Sequence, residues 1–195
     1  MVSTQNETVV SLLGLVGLEA SAEFPVLDSL SKSDSRFLRD LKINVGNALN
    51  SGQHLSKKEA RLLALSVAAN EKHQPLIDSL SEAARQEGAT EAQIAETLAC
   101  TSLLSTNNVF YRFRHFVGKD YYNNTQAGIR MSIMMNPVLG KEFFELMSLV
   151  VSAINGCEMC VRSHEDSVLK HGASEARVFE AIRLGAVIKG LITVL

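Results

Sequence analysis

The chain has 195 residues, of which 46% are apolar and 21% charged, and its net charge is −2. A domain of this size buries roughly 70% of the surface its unfolded form exposes, so it does not need covalent staples to hold a core. The near-neutral balance excludes a basic field for nucleic acid or an anionic membrane, and three cysteines are too few for a secreted disulfide scaffold. An odd, low cysteine number reads as a reducing, cytoplasmic setting with one special pair and one spare thiol.

Residues 9–18 (VVSLLGLVGL) are apolar, and Ala20-Ser21-Ala22 resembles a signal cleavage site. A secretory signal needs basic residues before its apolar stretch, and MVSTQNET supplies none. Residues 1–26 are therefore read as an N-terminal extension or helix. No later charge-free apolar run reaches the roughly 18 residues of a membrane span, so a soluble protein is expected.

Helical windows follow, and strand-like alternation is hard to find. Residues 33–49 carry Phe37, Leu38, Leu41, Ile43 and Val45, with a serine at the start and Gly52 beyond the end. Ser56-Lys57-Lys58-Glu59 is a capping-box pattern leading into Leu62, Leu63, Leu65 and Val67. Thr90-Glu91-Ala92-Gln93 repeats it ahead of Ile94, Leu98 and Leu103. The turn-rich stretch 118–128 is the best internal boundary. The fold class predicted is all-α.

The second half mirrors the first. At a shift of 84, Leu55-Ser56-Lys57 falls on Leu139-Gly140-Lys141, Gly88 to Ile94 falls on Gly172 to Val178, and Glu96 falls on Glu180. One register that aligns separated segments indicates an internal duplication. Residues 27–118 form the first helical repeat and 119–195 the second. Opposite Glu145, Cys157, Cys160 and His164 the first repeat has Arg61, His73, Leu76 and Leu80, so only the second carries reactive groups.

Residues 152–172 read SAINGCEMCVRSHEDSVLKHG. Asn155-Gly156 is a turn dipeptide, and the run after it predicts a helix closing at Gly172. Cys157 then falls in the first turn and Cys160 on the same face, where the positive end of the helix favours thiolates. Their i, i+3 spacing allows a reversible disulfide if the first turn relaxes. His164, four residues after Cys160, can take its thiol proton. Glu145, on the preceding helix, can orient His164 or relay protons through water.

Plainer readings stand beside this one. A CxxC pair is often half of a zinc site, but Cys157 and His171 lie ~21 Å apart on one helix at 1.5 Å per residue. Only Glu145 is left to complete a metal site. An inert core pair is disfavoured because a first-turn position after Asn-Gly is seldom fully buried. His171 reads as a helix-end histidine and Cys100 as a small core residue.

Glu145, eleven residues, then Cys157-x-x-Cys160-x-x-x-His164 resembles the alkyl hydroperoxidase D (AhpD) family, within the carboxymuconolactone decarboxylase-like superfamily. NNVFYRFRHF from Asn107, AGIRMSIMMNP from Ala127 and FELMSLVVSAINGC ending at Cys157 resemble it too, over roughly residues 27–195. The resemblance implies an internally duplicated helical fold, usually a homotrimer, that reduces organic hydroperoxides without a bound cofactor. It assigns the peroxide-attacking sulfur to Cys160, and proton donation and disulfide resolution to Cys157. The residues alone leave that choice open, since a first-turn Cys157 looks the easier nucleophile while His164 points to Cys160. The implied reductant is dihydrolipoamide or another dithiol. The implied partners are the lipoylated acyltransferase subunit of a 2-oxo acid dehydrogenase complex and a peroxiredoxin. Many members carry a histidine directly before the second cysteine, where this chain has Met159, which cannot transfer a proton. A thiol–disulfide adaptor or redox sensor is the alternative function.

Overall fold

The computed structural model describes residues 6–195; the first five residues of the predicted 1–26 extension lie outside them. Among the described residues there are ten α-helices, one short 3-10 turn and no strand. In chain order these are α1 (Glu7–Leu15), α2 (Pro25–Lys32), α3 (Arg36–Asn50), α4 (Lys57–Asn70), α5 (Gln74–Gln86) and α6 (Glu91–Val117). A short α7 (Asp120–Asn124) and the 3-10 turn Ser132–Met134 then lead to α8 (Lys141–Ile154), α9 (Glu158–Lys170) and α10 (Glu175–Ile192).

Local chemistry sets most of these boundaries. Ser56 and Glu59 form a full capping box at the start of α4, and Thr90 and Gln93 form another at α6, satisfying N–H groups that a helix start leaves free. The helix predicted from Ser33 begins later, at Arg36 after Ser35, because Asp34 takes a left-handed conformation (φ 48°) between α2 and α3. Its buried face is Leu38, Leu41, Val45 and Leu49, while Phe37 and Ile43 stand exposed. The boundary stretch 118–128 contains α7 as well as turns.

The apolar N-terminal stretch folds into α1, which packs on α3 and buries Leu12 and Leu13, with Val16 just beyond it. Among the described residues no helix is long and apolar enough to cross a membrane.

Two helices form the centre. α4 is buried at Ala60 and from Leu62 through Ala68, and α8 is buried without a break from Phe143 to Ser152. A helix apolar nearly all round belongs inside a bundle. α4 packs against α5, α6, α8 and α10; α8 packs against α6, α9 and α10. The approach of α10 to α8 is close at Gly185, where a Cβ would sit 2.6 Å from a Val150 methyl. α4 and α8 have equal lengths and begin 84 residues apart, as do α5 and α9.

Candidate active site

The turn from α8 into α9 is held from three sides. Its first residue, Asn155, exchanges side-chain hydrogen bonds with Asn70 of α4 at 3.0 and 3.1 Å and donates to Asn108 Oδ1 of α6 at 2.9 Å. Arg112 of α6 donates to the Asn155 carbonyl at 2.6 Å. Gly156 follows with φ 67°, a left-handed conformation in which a Cβ is costly, and this reverses the chain onto α9. Cys157 N–H then donates to Ser152 O at 3.1 Å, closing the turn.

Cys157 and Cys160 are joined by a disulfide, with Cα atoms 5.3 Å apart. Cys157 is the N-cap of α9, one residue before the first turn where the sequence placed it, and Cys160 is the third helical residue. These are the two positions a capping box links. In α5 the N-cap His73 accepts from Leu76 N–H through Nδ1 at 3.3 Å, and in α10 Ser174 accepts from Arg177 N–H at 3.2 Å. In α9 the same span is closed by a covalent bond.

The expected exposure of Cys157 is not found: Cys157 is 0% and Cys160 6% exposed. The Asn-Gly turn tucks the N-cap inward because α6 and α8 both pack against α9. Exposure therefore gives Cys157 no advantage as nucleophile, and the burial argument against an inert pair does not hold.

His164 and Glu145 meet as their positions suggested. His164 Nδ1 lies 2.6 Å from Glu145 Oε2, in a buried pair that joins α9 to α8. Nδ1 is thereby committed and Nε2 lies outside that pairing; Cys160 stands one turn back on the same helix face. The other carboxylate oxygen, Oε1, receives Lys141 Nζ at 2.8 Å. Burial works against ionising Glu145, but hydrogen bonds from His164 and Lys141, and their positive charge, outweigh it and hold its pKa down to about 2. The carboxylate orients the imidazole and stabilises it when charged, and both its oxygens are engaged.

A sequence model of the carboxymuconolactone decarboxylase family matches residues 41–109 and 122–195. The chain belongs to that family. Within it, the chain is similar to the alkyl hydroperoxide reductase AhpD of Anaeromyxobacter dehalogenans (strain 2CP-C), 38% identical over 162 residues covering 83% of this chain and 86% of the relative. The alkyl hydroperoxide reductase AhpD of Coxiella burnetii (strain RSA 493) is 36% identical over 157 residues, covering 80% and 88%. These relatives agree with the AhpD resemblance read from the motif. A crystal structure from Burkholderia xenovorans, of a protein named as a gamma-carboxymuconolactone decarboxylase subunit, superposes with TM-score 0.67 over 96% of this chain and 92% of its own. At 17% identity that likeness shows the shared fold alone.

The remaining singled-out residues of this carboxymuconolactone decarboxylase family member fall as follows. Cys100 is buried beside Ser148, Sγ to Oγ 3.6 Å, and burial pushes its thiol up to about 12. His171 is the exposed C-cap of α9, its Nδ1 2.7 Å from Ser167 O. Met159 is 37% exposed. Among the described residues no cluster of three or more His, Cys, Asp or Glu is placed to hold a metal. Three residues of the site went unnoticed in the sequence. Lys141 is four residues before Glu145, the helical spacing of an ion pair, which is a readable signal. Arg112 and His115, the latter 3.4 Å from Glu158 between the cysteines, come from α6 and have no local signature.

Proposed function

We propose that this protein reduces organic hydroperoxides with the Cys157–Cys160 pair. The observation that carries the reading is a bridged cysteine pair one helical turn from a buried histidine that a buried carboxylate orients. Once the disulfide is reduced, His164 Nε2 accepts the Cys160 proton. The thiolate attacks the outer peroxide oxygen, the O–O bond breaks, and the alkoxide leaves as an alcohol with a proton from the site. Cys160 is left as a sulfenic acid. Cys157 then attacks that sulfur, water departs, and the disulfide seen here is restored. An external dithiol supplies the two electrons that reopen it, with dihydrolipoamide as the first reductant to test and a lipoylated acyltransferase as its source. The names of the relatives support this reading over decarboxylation, which has no use for a bridged cysteine pair.

The chain is read as two helical repeats, 27–118 and 119–195, behind an extension of 26 residues. The common starts of paired helices and the two separate family matches support that division.

The test is turnover of a small alkyl hydroperoxide with dihydrolipoamide. Cys160→Ser abolishes it, and Cys157→Ser accumulates a sulfenic acid at Cys160, detectable by dimedone labelling and mass. Fast disulfide exchange with negligible peroxide consumption in the unmodified protein would instead identify a thiol–disulfide adaptor.

A further inference from the structure

We propose that Lys141 is a positioning residue of this site, acting on His164 and Cys160 through Glu145; the inference rests on the thiol reading above. Glu145 lies in the run of α8 that is buried throughout, so each of its oxygens needs a partner. His164 takes Oε2 at 2.6 Å and Lys141 takes Oε1 at 2.8 Å. Lys141 is itself fixed by a second hydrogen bond, Nζ to Met134 O at 2.8 Å, which ties the 3-10 turn before α8 to the same carboxylate.

The position is a poor one for a lysine on helix grounds. Lys141 is the first residue of α8, at the positive end of the helix dipole, where cations are disfavoured. Lys57, at the same place in α4, is exposed to solvent and has Arg61 rather than a carboxylate one turn on. In α8 the cation has a buried anion to hold, and that anion orients the histidine.

Two effects follow. By occupying Oε1, Lys141 leaves only Oε2 for the imidazole, which fixes the ring by Nδ1 and keeps Nε2 for the thiol. By offsetting the carboxylate charge, it weakens the pull of Glu145 on a proton at the imidazole. Removing one positive charge favours protonation of every neighbouring group, so the thiol and the imidazole both titrate at higher pH without it. The other charges facing this end of α9 are Arg112 and His115 from α6, and Glu158 and Arg162 on α9 itself. The test leaves all four unchanged.

The measurement is the pH dependence of Cys160 carboxymethylation in reduced protein, read by peptide mass spectrometry, beside an NMR titration of the His164 imidazole. Lys141→Met keeps the aliphatic stem and is expected to move both titrations upward by roughly one pH unit, while Lys141→Arg stays near the wild type. Unmoved titrations in folded Lys141→Met, with a lower melting temperature alone, would reduce Lys141 to a structural contact and overturn the proposal. Should Lys141→Met fail to fold, a titration in Lys141→Arg displaced as far as in Lys141→Gln would overturn it equally. Neither readout needs peroxide, so failure of the peroxidase reading would show separately, as a wild type that alkylates normally yet turns over no hydroperoxide.

Discussion

Glu96 and Glu180 stand 84 residues apart in α6 and α10, and each caps the approach to a central helix, Glu180 that of α4 and Glu96 that of α8. Glu180 accepts the backbone N–H groups of Gln53, His54 and Leu55 at 3.0–3.2 Å, just before α4. Glu96 accepts those of Val138 and Leu139 at 2.8 and 2.6 Å, just before α8. Both glutamates are buried, which is tolerable because each carboxylate is surrounded by donors. Both glutamates tie segments far apart in the chain through side-chain-to-backbone bonds, at positions that a sequence register can locate and that hydropathy cannot.

Glu180→Ala leaves three N–H groups near the start of α4 without their acceptor. Each lost bond to a charged group is worth about 1.5–3 kcal/mol at most and the three are not additive, so a total of roughly 3 kcal/mol is expected. At this chain length that lowers the melting temperature by roughly 6–12 °C. A melting temperature within a degree of the wild type would show that water replaces the carboxylate without loss.

How much of this was legible follows from which interactions are local. The capping boxes at Ser56 and Thr90, the spacing of Cys157, Cys160 and His164, and the 84-residue register are all patterns within a few residues or a constant shift, so they survive in a linear string. The pairing of Glu145 with His164 was legible only as a possibility, since it requires α8 and α9 to pack side by side. The burial of Cys157 was misread because α6, which covers it, lies forty residues away in the chain and leaves no mark beside the cysteines. Arg112 escaped for the same reason.

The depressed pKa of Glu145 has a definite sign in stability. Its folded value of about 2 lies below the ordinary glutamate value of roughly 4.3, so the stabilisation is fully present above the latter and lost as pH falls toward the former. The melting temperature of Glu145→Gln should lie below that of the wild type at pH 5, with the gap closing by pH 2.5. A gap that is constant over this range would mean the loss comes from packing rather than from the charge.

Cys100 differs from the pair in chemistry as well as place. Burial raises its pKa to about 12, and although the Ser148 hydroxyl lowers it, the charges of Glu96 and Glu145 add to the rise. In reduced native protein at pH 8, iodoacetamide is therefore expected to label Cys160 and to spare Cys100 until denaturant is added. Labelling of Cys100 at a rate comparable with Cys160 would refute the assignment of one active pair and one inert thiol.

The Asn155 carbonyl offers the sharpest test of how the redox turn is held. Arg112 reaches it at 2.6 Å from α6, two residues before Cys157. Arg112→Met keeps much of the side chain's bulk while removing the donor, at a cost of about 1.5–3 kcal/mol for a charged hydrogen bond. If that bond holds the turn in the shape the disulfide requires, part of its loss must appear in the thiol–disulfide equilibrium and not in global stability alone. The expected result is a larger reduced fraction than wild type at the same dithiol ratio, by severalfold, since about 1.4 kcal/mol shifts the equilibrium tenfold. A lower melting temperature with an unchanged reduced fraction would assign Arg112 to the packing of α6, leaving Asn70 and Asn108 to fix the turn through the Asn155 side chain.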